Sequence, residues 1–128
     1  MALKAFVVED NVSIRDSLVE ALAELAGIVT SGVTGSEEAA IAWLTDPANE
    51  WDIAIVDIVL ESGGNGFGVL NALRGRPPGR KVLVLTATAN PEVRRHCESL
   101  GGDGVFDKSI ETDALLDYCA TLSRDMRK

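Results

Sequence analysis

Ile53-Ala54-Ile55-Val56-Asp57 is a run of four apolar residues closed by a carboxylate. The run does not alternate with polar residues, so as a strand it is buried on both faces. That is the condition of a parallel sheet covered by helices. Working outward, two other stretches read the same way. Lys4 to Val8 is apolar after its first residue and ends at Glu9-Asp10, and Lys81 to Leu85 ends at Thr86. A weaker strand, about Ile28 to Val33, is rich in Thr, Ser and Gly, and a short one covers Gly104-Val105-Phe106.

Helix-period segments fill the gaps. The first spans Val12 to Ala26, with Ile14, Leu18, Leu22 and Leu25 as its apolar stripe and Gly27 as its stop. The second starts at Ser36, a good N-cap, with Glu37 and Glu38 favourable to the helix dipole and Ile41 and Leu44 facing inward. The third covers Phe67 to Arg74 and stops at Gly75, before the loop Arg76-Pro77-Pro78-Gly79. Asn90-Pro91 reads as N-cap and first position of the fourth. The fifth runs from Thr112 to Leu122, with Leu115, Leu116, Cys119 and Leu122 near one face. Strict β-α alternation implies right-handed crossovers. The expected fold is therefore α/β, a doubly wound five-stranded parallel sheet with five helices on both faces. All of residues 1–128 form one domain in this reading. Such sheets bind ligands beyond the carboxyl ends of their strands, where the strand order reverses.

Composition narrows the function. The chain has 128 residues, 46% of them apolar, enough for one core. No apolar run approaches the roughly 20 residues of a membrane helix. The opening apolar run is too short for a signal peptide and turns acidic at Glu9, which places the expectation in the cytoplasm. The net charge is −8, and basic residues group only briefly, as in Arg94-Arg95 and Arg124 to Lys128, so direct nucleic-acid binding is not expected. Cys97 and Cys119 stand far apart in helical segments and read as free thiols in or near the core. His96 reads as a surface residue, and Trp43 and Trp51 as packing residues.

The residues with chemistry sit at strand ends: Glu9 and Asp10 after the first, Asp57 after the third, Thr86 after the fourth, Lys108 after the fifth. Each alone has a plain structural reading. Asp10 or Asn11 could cap the first helix, Asp57 could be a turn residue, Thr86 a buried hydroxyl and Lys108 a solvated charge. Four strand ends converging on one crevice change that. Two carboxylates about 4 Å apart repel by roughly 4 kcal/mol at an effective dielectric near 20, so three of them call for a cation. All-oxygen donors indicate a hard ion, and few protein ligands with room for phosphate and water favour Mg²⁺. A carboxylate can attack phosphorus to form an aspartyl phosphate. Lys108 and the Thr86 hydroxyl can then cover phosphoryl oxygens.

Val7-Val8-Glu9-Asp10-Asn11, Ala54-Ile55-Val56-Asp57-Ile58-Val59-Leu60, Leu85-Thr86-Ala87 and Asp107-Lys108 together resemble the receiver domains of bacterial response regulators, over nearly the whole chain. The resemblance implies a flavodoxin-like (βα)5 fold with strand order 2-1-3-4-5. It implies that Asp57 accepts a phosphoryl group from a phosphohistidine on a sensor histidine kinase or histidine phosphotransfer protein. Asp10, Asp57 and the backbone carbonyl of Val59 would ligate Mg²⁺, with Glu9 acting largely through water. Thr86 would move toward the phosphoryl group, Lys108 would pair with it, and Val59 and Thr88 would tune the site. The domain would assist its own phosphorylation and dephosphorylation without being a conventional enzyme. With no output domain after the last helix, it would stand alone and act by binding a downstream protein through helix four, strand five and helix five.

Three departures qualify this. Ser109 stands where the family usually has Pro, so a trans peptide is expected after Lys108. Val105 stands where the family usually carries Tyr or Phe, and Phe106, one place on, must face the other way. The loop Glu61-Ser62-Gly63-Gly64-Asn65-Gly66 is long and Gly-rich, which predicts mobility beside the site. These departures leave an alternative, a receiver-like binding module that works without phosphorylation. A hydrolase with an aspartyl-phosphate intermediate would want a second Asp two places after Asp57, where Val59 stands.

Overall fold

The structure, a computed structural model, describes residues 2–61 and 64–126, without the side chain of Met126. The elements are β1 (Lys4–Val8), α1 (Val12–Ala26), β2 (Val29–Thr34), α2 (Glu37–Leu44), β3 (Ile53–Val56), α3 (Gly66–Ala72), β4 (Lys81–Thr86), α4 (Pro91–Ser99), β5 (Gly104–Asp107) and α5 (Thr112–Met126). The sheet has the order β2-β1-β3-β4-β5, with every pairing parallel. This is the expected doubly wound sheet, and its order reverses between β1 and β3.

Period-two alternation on fully buried strands sorts the core onto two faces. Phe6, Val8, Ala54, Val56, Val82 and Val84 pack on one face with Ala40 and Leu44 of α2, Val69 and Leu70 of α3 and Cys97 of α4. Ala5, Val7, Ile53, Ile55, Leu83 and Leu85 pack on the other with Leu18 and Leu22 of α1 and Leu115 and Cys119 of α5. Val105 joins the first group and Phe106 the second, so the two do face opposite ways. Phe106 meets Tyr118 edge-on, with 6.1 Å between ring centroids.

Several details differ from the sequence reading. The inward stripe of α1 is Leu18, Leu22 and Ala26, while Ile14 and Leu25 are exposed. Steps of four keep the stripe over the core, and Ala26 falls there where Leu25 does not. Gly27 caps this helix in the left-handed conformation, at φ 64°. β2 starts and ends one residue later than expected, and its register with β1 shifts between Ala5 and Phe6. α3 begins at Gly66 and closes at Leu73, because the Asn65 side chain caps it by accepting from the Gly68 N–H. α5 continues past Leu122 to Met126, since nothing polar in Ser-Arg-Asp breaks it.

Other expectations hold. Cys97 and Cys119 are free and buried. His96 is exposed, its ring edge-on to Phe67 at 4.4 Å. Trp51 is buried and donates its indole N–H to the Leu44 carbonyl at 3.0 Å, while Trp43 stacks on Phe6 at 4.4 Å. The Lys108–Ser109 peptide is trans. Of the loop from Glu61 to Gly66, for which mobility was expected, Ser62 and Gly63 lie outside the described residues. Among the described residues no helix is long and apolar enough to cross a membrane.

Candidate functional site

The register of the central strands sets the site. Val8 of β1 lies beside Val56 of β3, so Glu9 and Asp57 leave neighbouring strands at the same height. The ladder runs on one step at each end: Asp57 N–H donates to the Val8 carbonyl (2.9 Å), Glu9 N–H to Thr34 (2.8 Å) and Lys108 N–H to Thr86 (3.0 Å). The backbone bearing the functional side chains is thus held by the sheet, although the side chains lie beyond it. Asn11 takes the capping role, its side chain accepting from the Ile14 N–H at 3.0 Å. That leaves Asp10 free for the crevice, where it accepts from the Glu61 N–H.

Glu9, Asp10 and Asp57 each offer a carboxylate oxygen within 4.8 Å of the others. Glu9 is only 4% exposed and Asp57 only 6%. Lys108 reaches in from the end of β5, its Nζ 2.8 Å from Asp57 Oδ2 and also paired with Glu9 Oε1. Burial raises the Glu9 pKa above its ordinary value despite the lowering effect of Lys108. Burial pulls Lys108 downward, but its bonds to Asp57 and Glu9 outweigh that and leave its pKa raised. Three carboxylates against one ammonium would leave two negative charges in the ionised site, which suits a divalent cation. Every donor in the cluster is oxygen, so the residues fit a hard ion.

The crevice has a volume of about 480 Å³ and is lined by Glu9, Asp10, Asp57, Val59, Ala87 and Lys108, among others. Val59 donates its N–H to Asp57 Oδ1 at 3.2 Å and pairs with Asn65 in an isolated antiparallel bridge. Glu37, at the start of α2, fixes the far side of that bridge by accepting the Asn65 N–H at 2.8 Å.

Sequence reasoning named Glu9, Asp10, Asp57, Val59 and Lys108, and the fold brings all five to this crevice. Thr86 is different. Its side chain is fully buried, and its hydroxyl bonds the Thr88 hydroxyl at 3.1 Å and accepts the Thr88 N–H at 3.3 Å. Ala87, not Thr86, lines the opening. Residues whose part in the site was missed from sequence are Glu37 and Glu61, tied to it through backbone N–H groups that only the folded chain brings near. A second hollow, about 420 Å³ and mostly apolar, adjoins the crevice between α1 and α5, lined by Ile14, Ser17, Leu18, Ala21, Lys108 and Thr112 among others.

Comparison with known proteins bears on the family and the fold. Residues 5–120 match the family described as the response regulator receiver domain. The probable transcriptional regulatory protein SilR of Salmonella typhimurium is 32% identical over 125 residues, which cover 95% of this chain and 51% of SilR. The chain spans about half the length, or less, of the first curated relatives it matches. Among solved structures, the receiver domain of the Francisella response regulator 1452 superposes with a TM-score of 0.81 at 22% identity, covering 97% of this chain and 98% of that one. The phosphorylated cyanobacterial phytochrome response regulator RcpA does so at 0.75 and 25% identity, covering 95% and 91%.

Proposed function

The chain belongs to the response regulator receiver domains of two-component signalling, and on that premise we propose that Asp57 accepts a phosphoryl group from a phosphohistidine in a Mg²⁺-dependent transfer. The donor is a sensor histidine kinase or a histidine phosphotransfer protein, the partners with which receiver domains interact. The observation that carries the reading is the convergence of Asp57 with Glu9, Asp10 and Lys108 in one crevice.

Glu9, Asp10, Asp57 and the Val59 carbonyl would hold the metal, whose chemistry is to neutralise phosphoryl oxygens and orient them for in-line transfer. The remaining work belongs to the chain. Asp57 supplies the nucleophilic oxygen, and the Val59 N–H on Oδ1 orients its carboxylate. Lys108 already sits on Oδ2 and would follow the added charge onto a phosphoryl oxygen. Thr86 would have to leave Thr88 to donate to another. The phosphodonor protein would dock beside the crevice on the hollow between α1 and α5. Exposed Ile14 lines that hollow and exposed Val12 and Val59 line the crevice beside it; with exposed Ile110, just ahead of α5, they would supply apolar contact. A cytoplasmic setting and output through a further protein are parts of the same reading.

Beryllofluoride, a phosphoryl mimic, tests it. With Mg²⁺, fluorine NMR should show one adduct in the natural chain, lost on chelation and absent in Asp57→Asn. No adduct in the natural chain would favour a module that binds its partner without phosphorylation.

A further inference from the structure

Arg94, on α4, has a guanidinium that bonds three separate parts of the fold. Its Nε donates to the Ala89 carbonyl of the β4–α4 loop at 3.0 Å. One Nη donates to the Val105 carbonyl of β5 at 2.9 Å, and the other to the Glu111 carboxylate just ahead of α5. The same Glu111 oxygen accepts the Asp107 N–H at 3.0 Å. The Arg94 guanidinium, and after it the Asp107 N–H, pull the Glu111 pKa below its ordinary value. A planar fork can satisfy three acceptors at once only while they keep this arrangement.

One of those acceptors leads back to the crevice. The Ala89–Asn90 peptide presents its carbonyl to Arg94 and donates its N–H to the Thr88 carbonyl at 2.8 Å. Because a peptide unit is planar and stiff, its two ends turn together. Thr88 in turn holds the Thr86 hydroxyl through its own hydroxyl and N–H. An unbroken series of bonds therefore runs from Thr86 through Thr88 and one peptide plane to Arg94, and from there to β5 and the start of α5.

We propose that Arg94 is a positioning residue that couples the place of the Thr86 hydroxyl to the state of the β5–α5 surface. The inference rests on the reading of Asp57 as phosphoacceptor, because a phosphoryl group there is what draws Thr86 away from Thr88. When Thr86 leaves, Thr88 loses both bonds to it and the Ala89–Asn90 peptide is free to turn. Arg94 then exchanges its hold on Ala89, and with it the registry of Val105, Asp107 and Glu111. Coupling of this kind is reciprocal, so a partner that grips β5 and α5 also biases Thr86.

The test uses the intact chain with Mg²⁺ and beryllofluoride, reading the adduct by fluorine NMR and amide exchange residue by residue. In the natural chain, adduct formation should change exchange at Thr88 and Asn90 and also, by about tenfold, at Asp107. Arg94→Met keeps the aliphatic stem and removes the fork. It should still form the adduct and respond at Thr88 and Asn90, with no response at Asp107. Glu111→Gln, a milder change at the far end, should weaken the Asp107 response and leave the loop response intact. A merely structural Arg94 would alter exchange equally with and without adduct, so the adduct-dependent difference separates the two roles. An Asp107 response that is the same in all three proteins, or absent from the natural chain despite an adduct, overturns the coupling. Absence of any adduct in the natural chain overturns the Asp57 reading itself.

Discussion

Lys108 is the residue whose removal changes the site most, because it is the cation that the carboxylates already have. Its Nζ stands on Asp57 and Glu9, both almost fully buried. Breaking one partner out of a buried ion pair typically costs about 3 kcal/mol. Lys108→Met should therefore lower metal-free stability by about that amount at neutral pH, measured by urea unfolding. The same variant leaves three carboxylates without an ammonium, so Mg²⁺ should raise its melting temperature more than it raises that of the natural chain. Glu9 carries the opposite sign. Burial raises its pKa above 4.5, so the folded chain holds that proton more tightly than the unfolded chain does. The resulting stability is complete below about pH 4.5 and is lost as pH rises through the raised value. Glu9→Gln should remove that decline from the metal-free stability profile while weakening Mg²⁺ binding; a decline that survives the substitution would show that another group causes it. These side chains were legible in the sequence because each follows an apolar run that fixes where the strand ends. The engagement of Thr86 with Thr88 was not, because the residue type tells that a hydroxyl is present and not which way it turns.

At the scale of elements, two contacts deserve direct measurement. Gly66 opens α3 directly against the backbone of Asp57. A Cβ there would fall on the Asp57 carbonyl oxygen and within 2.9 Å of Ile58 Cα and Val56 Cγ1. Gly66→Ala should thus cost about 1–3 kcal/mol, the usual range for overpacking, and weaken Mg²⁺ binding by displacing Asp57. Unchanged stability in that variant would show that α3 shifts freely. The second contact is the Arg94–Glu111 pair. Because the Glu111 pKa is lowered, its contribution is present above about pH 4.5 and is lost as pH falls through the lowered value. Protection of the Asp107 amide, which donates to Glu111, should fall across that window and lose this step in Glu111→Gln. The elements themselves were legible to different degrees. β1 and β3 are continuous apolar runs and their bounds follow directly. β2 lies at the sheet edge and alternates exposed with half-buried residues, so no continuous apolar run marks its ends. The start of α3 depends on the Asn65 cap and on Glu37, 28 residues away, holding the Asn65 N–H. No local pattern announces that.

For the whole molecule, the sheet divides the core of the described residues into two clusters, one on each face, so both layers must fold for the strands to be buried on both sides. Ile55, on the α1 and α5 face, is 2% exposed, and Ile55→Ala should cost about 2–5 kcal/mol. Thermal unfolding should remain a single transition, because the strands that carry one layer also carry the other. Strand order was legible only through the family resemblance, since β-α alternation gives parallel strands without saying which are neighbours. Placing β1 beside β3 is what joins Glu9 and Asp10 to Asp57, so site and topology stand or fall together. The most direct test of that union is a phosphotransfer profile: the chain is challenged, with Mg²⁺, by a panel of radiolabelled phosphohistidine kinases and phosphotransfer proteins. The account predicts rapid labelling by at least one donor, abolished in Asp57→Ala and by chelation. Labelling that persists in Asp57→Ala would contradict it.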